Sequence, residues 1–313
     1  MADHSDLTDT NVLVTGGAGF IGSHLSSALV DRGADVSVVD DYSKGRRELV
    51  PPAADSFDLD IRSSRLTDVV AEIAPEYVVH LAAHHYVPYC NEHPEQAYDV
   101  NVMGTRNLLN ACNGADSLDR LVFASTAAVY PPMETPHTES DDLDPMDTYG
   151  RTKVIGEDLV SKFHYETGVD TVSLRLFNVY GPNETNPHLI PAILEQLAGG
   201  DRTVELGNLS PERDFVHVSD VVDAMTIALT EAADEHRYYN VGTGTSYSVR
   251  EVVEATSEAL GEDIEIAQDE ERVRESDRPH LCADPSLLKR ETSWEPTVTL
   301  VDGLRQLLDI ESR

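Results

Sequence analysis

The stretch TGGAGFIG, residues 15–22, decides how the rest of the chain is organised. It follows a short apolar run, residues 12–14, that reads as a buried strand, and it opens residues 21–32, whose apolar periodicity predicts an amphipathic helix. Gly33 then stands in the position that commonly ends a helix. Strand, glycine turn and helix together predict a phosphate cradle, because a helix N-terminus offers unpaired N–H groups and a partial positive charge.

The glycine spacing and the acidic residue after the next strand predict which ligand this cradle takes. Gly16, Gly19 and Gly22 form a variant of the dinucleotide-binding spacing, in which glycine lets the backbone approach a pyrophosphate. Such a turn alone also occurs in ordinary tight turns. Asp35–Asp40 reads as a second strand, and a carboxylate at Asp40 accepts hydrogen bonds from a ribose 2′-hydroxyl and repels a 2′-phosphate. We therefore expect NAD rather than NADP as the cofactor.

Length and composition predict one α/β unit with a smaller appended lobe. The chain has 313 residues, of which 40% are hydrophobic, enough for a sizeable core. Residues 1–10 are polar and acidic, and no apolar run reaches the length of a membrane span, so we expect a soluble, cytoplasmic protein. Cys90, Cys112 and Cys282 are too few and too scattered for a disulfide framework or a Cys-rich metal site.

The charge balance excludes several kinds of partner. Against 57 acidic residues stand 23 basic ones, and the net charge of −34 argues against nucleic acid and anionic membranes as partners. A disordered acidic tail is one explanation, but the acidic residues are spread along the chain. We favour adaptation to high salt, which screens such repulsion, and the pattern is similar to that of proteins from halophilic archaea.

After Asp40, strands and helices alternate. Strands are predicted at 57–61, 76–83, 120–129 and 171–177, and helices at 64–73, 94–113 and 149–167. This alternation predicts a Rossmann-type doubly wound parallel sheet. The proline-rich residues 131–145 read as an active-site loop, because the alternation resumes after them.

The last third of the chain predicts a smaller α+β lobe. Short strands at 204–207, 215–218, 238–241 and 264–267 mix there with helices at 219–231 and 248–260. We divide the chain into an NAD-binding Rossmann domain at 1–181 and a mainly substrate-binding lobe at 182–313. The pattern leaves open that part of 204–241 returns to the larger domain.

Tyr149 and Lys153 stand four positions apart at the start of a predicted helix, which places both side chains on one face. A tyrosine titrates near 10, so to act as a base near neutrality its pKa must fall by ~3 units, or about 4 kcal/mol. One lysine charge ~4–6 Å away at an effective dielectric of ~20 could supply most of this, and a cationic nicotinamide the remainder. Taken alone, this spacing is also common for two solvated helix residues.

Several motifs carry a resemblance to a known family: the turn at 15–22, LAA at 81–83, ASTAAVY at 124–130, and the Tyr149 and Lys153 pair. Over nearly its whole length the chain resembles the extended short-chain dehydrogenase/reductase superfamily, most closely its nucleotide-sugar epimerase/dehydratase branch. In that pattern the catalytic hydroxyl lies four residues before the tyrosine of the Val-Tyr pair, which implies Thr126, with Tyr149 and Lys153, as the catalytic set. The cofactor-binding residues implied are Gly16, Gly19, Phe20, Ile21, Gly22, Asp40, Asp60, Ile61, Leu81, Ala82 and Ala83, with Tyr149 and Lys153.

The resemblance also implies the substrate side of the site. Asn178, Arg213 and Arg274 lie in segments that match those gripping a nucleotide diphosphate, and fork-shaped arginine donors suit phosphate. His84 and Tyr86 match a loop that lines the sugar pocket. The histidines and cysteine of residues 80–93 also suggest a metal, but their spacing fits no standard zinc pattern, so we expect none.

Departures from the family narrow the implied function. Ala127 and Ala128 stand where 4,6-dehydratases carry Asp-Glu, and Pro131 replaces a glycine common in 4-epimerases. The resemblance thus implies an NAD-dependent epimerase of a UDP-hexose, of the UDP-glucose/UDP-galactose type, working through a 4-keto intermediate. The alternatives are a 4,6-dehydratase or 4-ketoreductase of the same fold, and a non-catalytic NAD-binding scaffold, which the intact catalytic set disfavours.

The family likeness further implies a homodimer. In this family the helices corresponding to 94–113 and 149–167 pack against their counterparts as a four-helix bundle. Their apolar residues at helical spacing are Leu108, Leu109, Val154, Ile155, Leu159 and Phe163, although the same residues could face only the sheet.

Overall fold

A computed structural model describes residues 7–184, 186–233, 235–269 and 278–311 of the chain. The strands are β1 Asn11–Thr15, β2 Asp35–Asp40, β3 Asp55–Asp58, β4 Tyr77–His80, β5 Arg120–Thr126, β6 Asp170–Leu176, β7 Asn178–Tyr180, β8 Thr203–Leu206, β9 Glu212–His217, β10 His236–Val241, β11 Ser246–Ser248, β12 Glu265–Gln268 and β13 His280–Leu281. The α-helices are α1 Phe20–Asp31, α2 Leu66–Ile73, α3 Val87–Glu92, α4 Pro94–Tyr98, α5 Thr105–Cys112, α6 Thr148–Thr167, α7 Leu189–Ala198, α8 Val218–Thr230, α9 Val249–Leu260, α10 Ser286–Glu291 and α11 Leu300–Glu311.

Seven parallel strands form the large sheet in the order β10-β6-β5-β4-β1-β2-β3, which confirms the predicted Rossmann-type fold. Its central strands are buried almost throughout, because helices cover both faces. One apolar core lies between the sheet and α1 and α8, and a second lies between the sheet and α2, α5 and α6. Strand order reverses direction beside β1, and open α/β sheets bind ligands at the carboxyl ends of their strands at such a point.

Two predicted elements are interrupted, and both interruptions lie near the cleft. The helix predicted at 94–113 contains a π-helical turn, Asp99–Gly104, between α4 and α5. A Cβ at Gly104 would lie 2.5 Å from Cδ1 of Ile61, so the close packing of this turn requires glycine. The strand predicted at 120–129 ends at Thr126 and continues as a 3₁₀ turn, Ala127–Val129, which places Thr126 at the open end of the sheet.

The smaller lobe is built around β9, which pairs with β7, β11 and β13, while β8 and β12 form a separate parallel pair. Only Phe177 separates β6 of the large sheet from β7 of the lobe. The strand predicted at 238–241 lies in the large sheet as β10, paired with β6, and α8 packs into the first core. The chain therefore leaves the large sheet, enters the lobe and returns.

The helix faces expected to form a dimer interface are partly internal. Leu108, Leu109 and Phe163 are buried in the second core of a single chain, so the assignment of these three side chains to an interface is wrong. The physical reason is that α5 and α6 use this stripe to cover the large sheet. Among the described residues, the helices include none with both the length and the apolar character that crossing a membrane requires.

Candidate active site

The turn between β1 and α1 requires glycine for close packing at two positions and less strictly at a third. Gly16 has φ +74°, and a Cβ there would lie 2.7 Å from the backbone nitrogen of Ala82. A Cβ at Gly22 would lie 2.1 Å from the Gly16 carbonyl oxygen. At Gly19 a Cβ would lie 3.3 Å from the Gly16 carbonyl oxygen, so the turn would have to shift by a few tenths of an ångström to accept it. The steric conflict within the chain is therefore severe at Gly16 and Gly22 and mild at Gly19, which lines the cleft at the first turn of α1.

Asp40 lies at the carboxyl end of β2, facing this turn. Its carboxylate accepts hydrogen bonds from the backbone N–H groups of Ala18 at 3.0 Å and Tyr42 at 2.8 Å. Burial raises the pKa of Asp40, while these two hydrogen bonds oppose the shift. A carboxylate has about four acceptor positions, so this one is held in place with acceptors to spare for a ribose hydroxyl.

Thr126, Tyr149 and Lys153 come together from two elements. Thr126 ends β5, and the other two lie in the first turns of α6, which Asp147 caps by accepting the Gly150 N–H at 2.7 Å. The Thr126 side chain hydrogen bonds that of Tyr149 and accepts the Ala128 N–H at 3.2 Å. The buried ammonium of Lys153 donates to the Ala124 carbonyl at 2.7 Å. One of its three N–H donors is thus used, which leaves two for a ligand.

Burial opposes the lowered tyrosine pKa that the sequence predicts. The pKa of Tyr149 is raised above its usual value because the phenolate is poorly solvated, although the hydrogen bond from Thr126 lowers it. Burial also lowers the pKa of Lys153 to about 8. The Lys153 nitrogen lies 5.8 Å from the centre of the Tyr149 ring. In the protein alone desolvation dominates, so the fall in pKa that the sequence analysis expects from the lysine and the cationic nicotinamide together is not seen.

One cleft of about 1130 Å³ brings the predicted residues together. It is lined by the catalytic set Thr126, Tyr149 and Lys153, by the cofactor set Gly16, Gly19, Phe20, Ile21, Gly22, Asp40, Asp60, Ile61, Leu81, Ala82 and Ala83, and by His84, Tyr86, Asn178 and Arg213. Arg274 lies outside the described residues. The glycine turn, the segments predicted to bind a diphosphate and the predicted catalytic side chains thus line one cavity.

Side chains around the cleft fix the backbone of its loops. Asn101, in the π turn, accepts the His84 N–H at 2.7 Å and donates to the His84 carbonyl at 2.8 Å. Asp60 accepts the Arg62 guanidinium at 3.0 Å, which lowers the pKa of Asp60. Arg213 donates to the carbonyl of Arg278 at 2.7 Å. These contacts hold the loop at His84, the loop at Asp60 and the cleft side of the lobe in place.

His80, the first histidine of the histidine-rich stretch, has a structural role. His80 is buried, with its ring nitrogens 2.7 Å from the hydroxyl of Thr15 and 2.8 Å from that of Thr105, and burial lowers its pKa to about 3. It therefore stays neutral and joins β4 to β1 and α5. Within the described ranges no group of three or more His, Cys, Asp or Glu side chains is arranged to hold a metal ion.

The sequence analysis did not identify three residues that line the cleft. Arg278 points to the loop after Thr126, Asp147 caps α6, and Glu184 accepts a hydrogen bond from His188 at 2.5 Å. Asp147 could have been found as a helix cap just before the Tyr149 motif. Arg278 follows the RESD segment directly, but nothing in local sequence indicates where its side chain goes.

Comparisons with known proteins agree with the resemblance carried by the motifs. A sequence profile described as the NAD dependent epimerase/dehydratase family matches residues 12–242. The UDP-glucose 4-epimerase of Corynebacterium glutamicum is 35% identical over 306 residues, which cover 92% of this chain and 91% of that protein.

Solved structures give the same result. The UDP-glucose 4-epimerase of Thermus thermophilus, in complex with NAD, is 34% identical, with a TM-score of 0.87 and coverage of 96% of this chain and 98% of that chain. The Thermotoga maritima UDP-glucose 4-epimerase, with UDP-glucose, is 29% identical, with a TM-score of 0.89 and the same coverage of both chains, 96% and 98%.

Proposed function

The chain belongs to the NAD dependent epimerase/dehydratase family, and from this premise we propose that it interconverts the 4-epimers of a UDP-hexose, with UDP-glucose and UDP-galactose as the expected pair. The observation that carries the proposal is that Thr126, Tyr149 and Lys153 line the same cleft as a dinucleotide turn and diphosphate-binding segments. We assign the cofactor to the large-sheet unit and the sugar nucleotide to the lobe side of the cleft.

The residues present fit NAD. The glycine turn that lines the cleft, the first turn of α1 and the anchored carboxylate of Asp40 suit a pyrophosphate and an adenosine ribose. Arg46 and Arg47 follow Asp40 closely, but they contact Asn183 and Asp58 respectively, which supports NAD over NADP. The spare donors of Lys153 suit the nicotinamide ribose. When bound, NAD supplies a hydride acceptor for sugar C4 and a hydride donor for the opposite face.

The side chains of this protein supply the proton transfer. Tyr149 would remove the proton of the C4 hydroxyl, and Thr126 would hold that hydroxyl and the phenol in line through its own hydroxyl group. Because burial raises the pKa of Tyr149, its base form needs nearby positive charge, which Lys153 provides while protonated. The closed cleft then shields the 4-keto sugar from water while it turns over.

Loss of water across C5 and C6, as in a dehydratase, would need an acid and a base, and the described part of the site offers no such pair next to Thr126. Ala127 and Ala128 provide neither. Among the acidic residues that line the cleft, Asp147 accepts the Gly150 N–H and pairs with Arg278, and Glu184 hydrogen bonds His188. Epimerisation requires only the Tyr149 base and reversible hydride transfer, so the site favours the epimerase.

The test is to incubate the purified protein with UDP-galactose and to measure UDP-glucose by chromatography, with the nucleotide released on denaturation identified separately. We expect interconversion without net NAD reduction, and stoichiometric NAD. A stable 4-keto-6-deoxy product, seen by its absorbance in alkali, would contradict epimerisation, and recovered NADP would contradict the cofactor assignment.

Tyr149→Phe should abolish turnover, because the phenyl ring cannot accept the C4 proton, while NAD stays bound and the fold is kept. The measurements are turnover of UDP-galactose and NAD content by mass spectrometry. Tyr165→Phe is the matched control, since Tyr165 lies on the same helix and is 79% exposed. Turnover that survives in Tyr149→Phe at near the wild-type rate would assign the base elsewhere.

We also propose a homodimer in a salt-rich cytoplasm. Support for the dimer comes from exposed apolar side chains on the two helical segments of the family interface, Tyr98 at 37%, Met103 at 48% and Tyr165 at 79% exposure. Support for the salt-rich compartment comes from the net charge of −34.

A further inference from the structure

Arg278 reaches from the lobe into the loop that follows the catalytic threonine. Its guanidinium donates to the carbonyls of Tyr130 at 2.9 Å, Ala128 at 3.0 Å and Ala127 at 3.4 Å. The residue is 9% exposed and lies just before β13, the lobe strand that pairs with β9. An apolar side chain here would leave these carbonyls without that donor, so the arginine holds the turn that begins at the end of β5.

The same guanidinium also contacts the start of the catalytic helix. Asp147 lies 3.5 Å from Nη2 of Arg278 through one carboxylate oxygen, and it caps α6 through the other by accepting the Gly150 N–H. The two segments are tightly packed, because a Cβ at Gly150 would lie 2.4 Å from the Ala128 carbonyl oxygen. One side chain from the lobe thus fixes both segments that carry the catalytic hydroxyl groups.

The backbone of Arg278 contacts a residue on the side of the cleft where we expect the diphosphate. Its carbonyl accepts a hydrogen bond from Nη1 of Arg213 at 2.7 Å, and Arg213 lines the cleft. On the basis of the proposed epimerase function, we propose that Arg278 is a positioning residue, which holds Thr126 and Tyr149 in register and connects them to the nucleotide-binding arginine of the lobe.

Charge supports the same role. Burial raises the pKa of Tyr149 most, the charge of Asp147 raises it further, and Arg278 lies beside Asp147 as its partner. Removal of the guanidinium should leave the Asp147 charge uncompensated near the phenol. The base form of Tyr149 should then require a higher pH.

The experiment compares Arg278→Met and Arg278→Lys in the whole protein, with Arg202→Met as control, since Arg202 pairs with Glu262 on an exposed part of the lobe. For Arg278→Met we expect kcat with UDP-galactose to fall about 10- to 100-fold, as small misplacements of catalytic groups do, with KM changed by less than about 3-fold and NAD content unchanged. Arg278→Lys should lie between, and the control should match the wild type.

The pH profile separates positioning from a general loss of structure. In Arg278→Met the rising limb of the pH profile of kcat should move to higher pH. In the double variant Asp147→Asn/Arg278→Met the limb should return to its wild-type position. The maximal kcat should stay low in both variants. Asparagine keeps the cap of α6 and removes the charge. A kcat within about 3-fold of wild type, or a fall without a shift of the limb, would overturn the proposal.

Amide hydrogen exchange tests the positioning role of Arg278 without a need for activity. If the wild type does not epimerise UDP-galactose, the proposed function alone fails, and the exchange measurement still applies. Exchange at residues 127–130 and 148–150 should be faster in Arg278→Met than in the wild type and the Arg202→Met control. Unchanged exchange in both segments would overturn the positioning role, and so would equal acceleration throughout the lobe.

Discussion

Lys153 shows two opposed demands on one side chain. It is buried, which lowers its pKa to about 8, yet in the proposed mechanism its charge stabilises an ionised phenol at Tyr149 in the same surroundings. Below that pKa the ammonium is charged and favours the phenolate, and above it the charge is lost. The working range therefore lies where the lysine is still protonated and the tyrosine already ionises with bound cofactor.

Lys153→Met should lower kcat and move its rising limb to higher pH. A unit charge 5.8 Å from the ring centre contributes about 3 kcal/mol at an effective dielectric of ~20, so we expect a loss of about 100-fold near neutrality. Lys162→Met is the matched control, because Lys162 lies on the same helix but is exposed and paired with Glu166. A Lys153→Met enzyme with an unshifted pH profile would show that this charge does not act on the phenol.

Two alanine substitutions in the glycine turn should mainly affect different properties, stability in one case and NAD binding in the other. Gly22→Ala should lower the free energy of unfolding by at least about 2 kcal/mol, because its Cβ would lie 2.1 Å from a backbone oxygen. Gly19→Ala should lower the melting temperature much less, because its Cβ would meet the Gly16 carbonyl oxygen at 3.3 Å, and it should weaken NAD binding by filling the cradle. Calorimetry and NAD titration measure both, and full NAD affinity in Gly19→Ala would place the pyrophosphate elsewhere.

The sequence predicts best those residues whose arrangement depends on neighbours close by in the chain. Tyr149 and Lys153 could be predicted because one helical turn separates them, and Asp40 because a strand end follows a glycine turn. Arg278 could not, because its partners at 127–130 lie about 150 positions away along the chain. The raised pKa of Tyr149 could not be predicted either, because the burial of its phenol depends on the whole cleft.

At the scale of elements, most strands of four or more residues were predictable, including β8 and β12 of the lobe, and the shortest strands, β7, β11 and β13, were not. β5 and β6 have seven residues each, of which six are buried in either strand, and they are flanked by helices with clear periodicity. β11 and β13 have three and two residues, too few for any period to appear. The π turn in the helix at 94–112 was missed because its cause, the packing of Gly104 on Ile61, is tertiary.

The proposed dimer makes an element-scale prediction. Met103→Glu should convert a dimer to monomers, because a charge would be buried where the exposed methionine of the π turn meets the second copy. Light scattering at micromolar concentration measures the mass. Met146→Glu is the control, since Met146 is also exposed but lies outside these helices. A wild-type protein that is monomeric under these conditions would refute the dimer.

At the scale of the whole molecule, the net charge of −34 should make stability depend on salt. Repulsion between exposed carboxylates opposes the compact state, and the Debye length falls from ~10 Å at 0.1 M to ~3 Å at 1 M salt. We expect the melting temperature and the activity to rise over this range of KCl. A non-ionic osmolyte at matched osmolality is the control, and a melting temperature that stays flat in KCl would contradict salt adaptation.

The position of β10 has a consequence for how the chain is made. This strand pairs with β6 along its whole length, yet it follows the lobe strands β8 and β9 in sequence. Until residue 241 has left the ribosome, β6 is an outer strand with an open row of backbone N–H and C=O groups, and its side chains from 171 to 176 lack part of their cover. Such an edge is a template for pairing with another chain, so nascent fragments of this protein that stop between β6 and β10 should be the ones that aggregate or recruit chaperones.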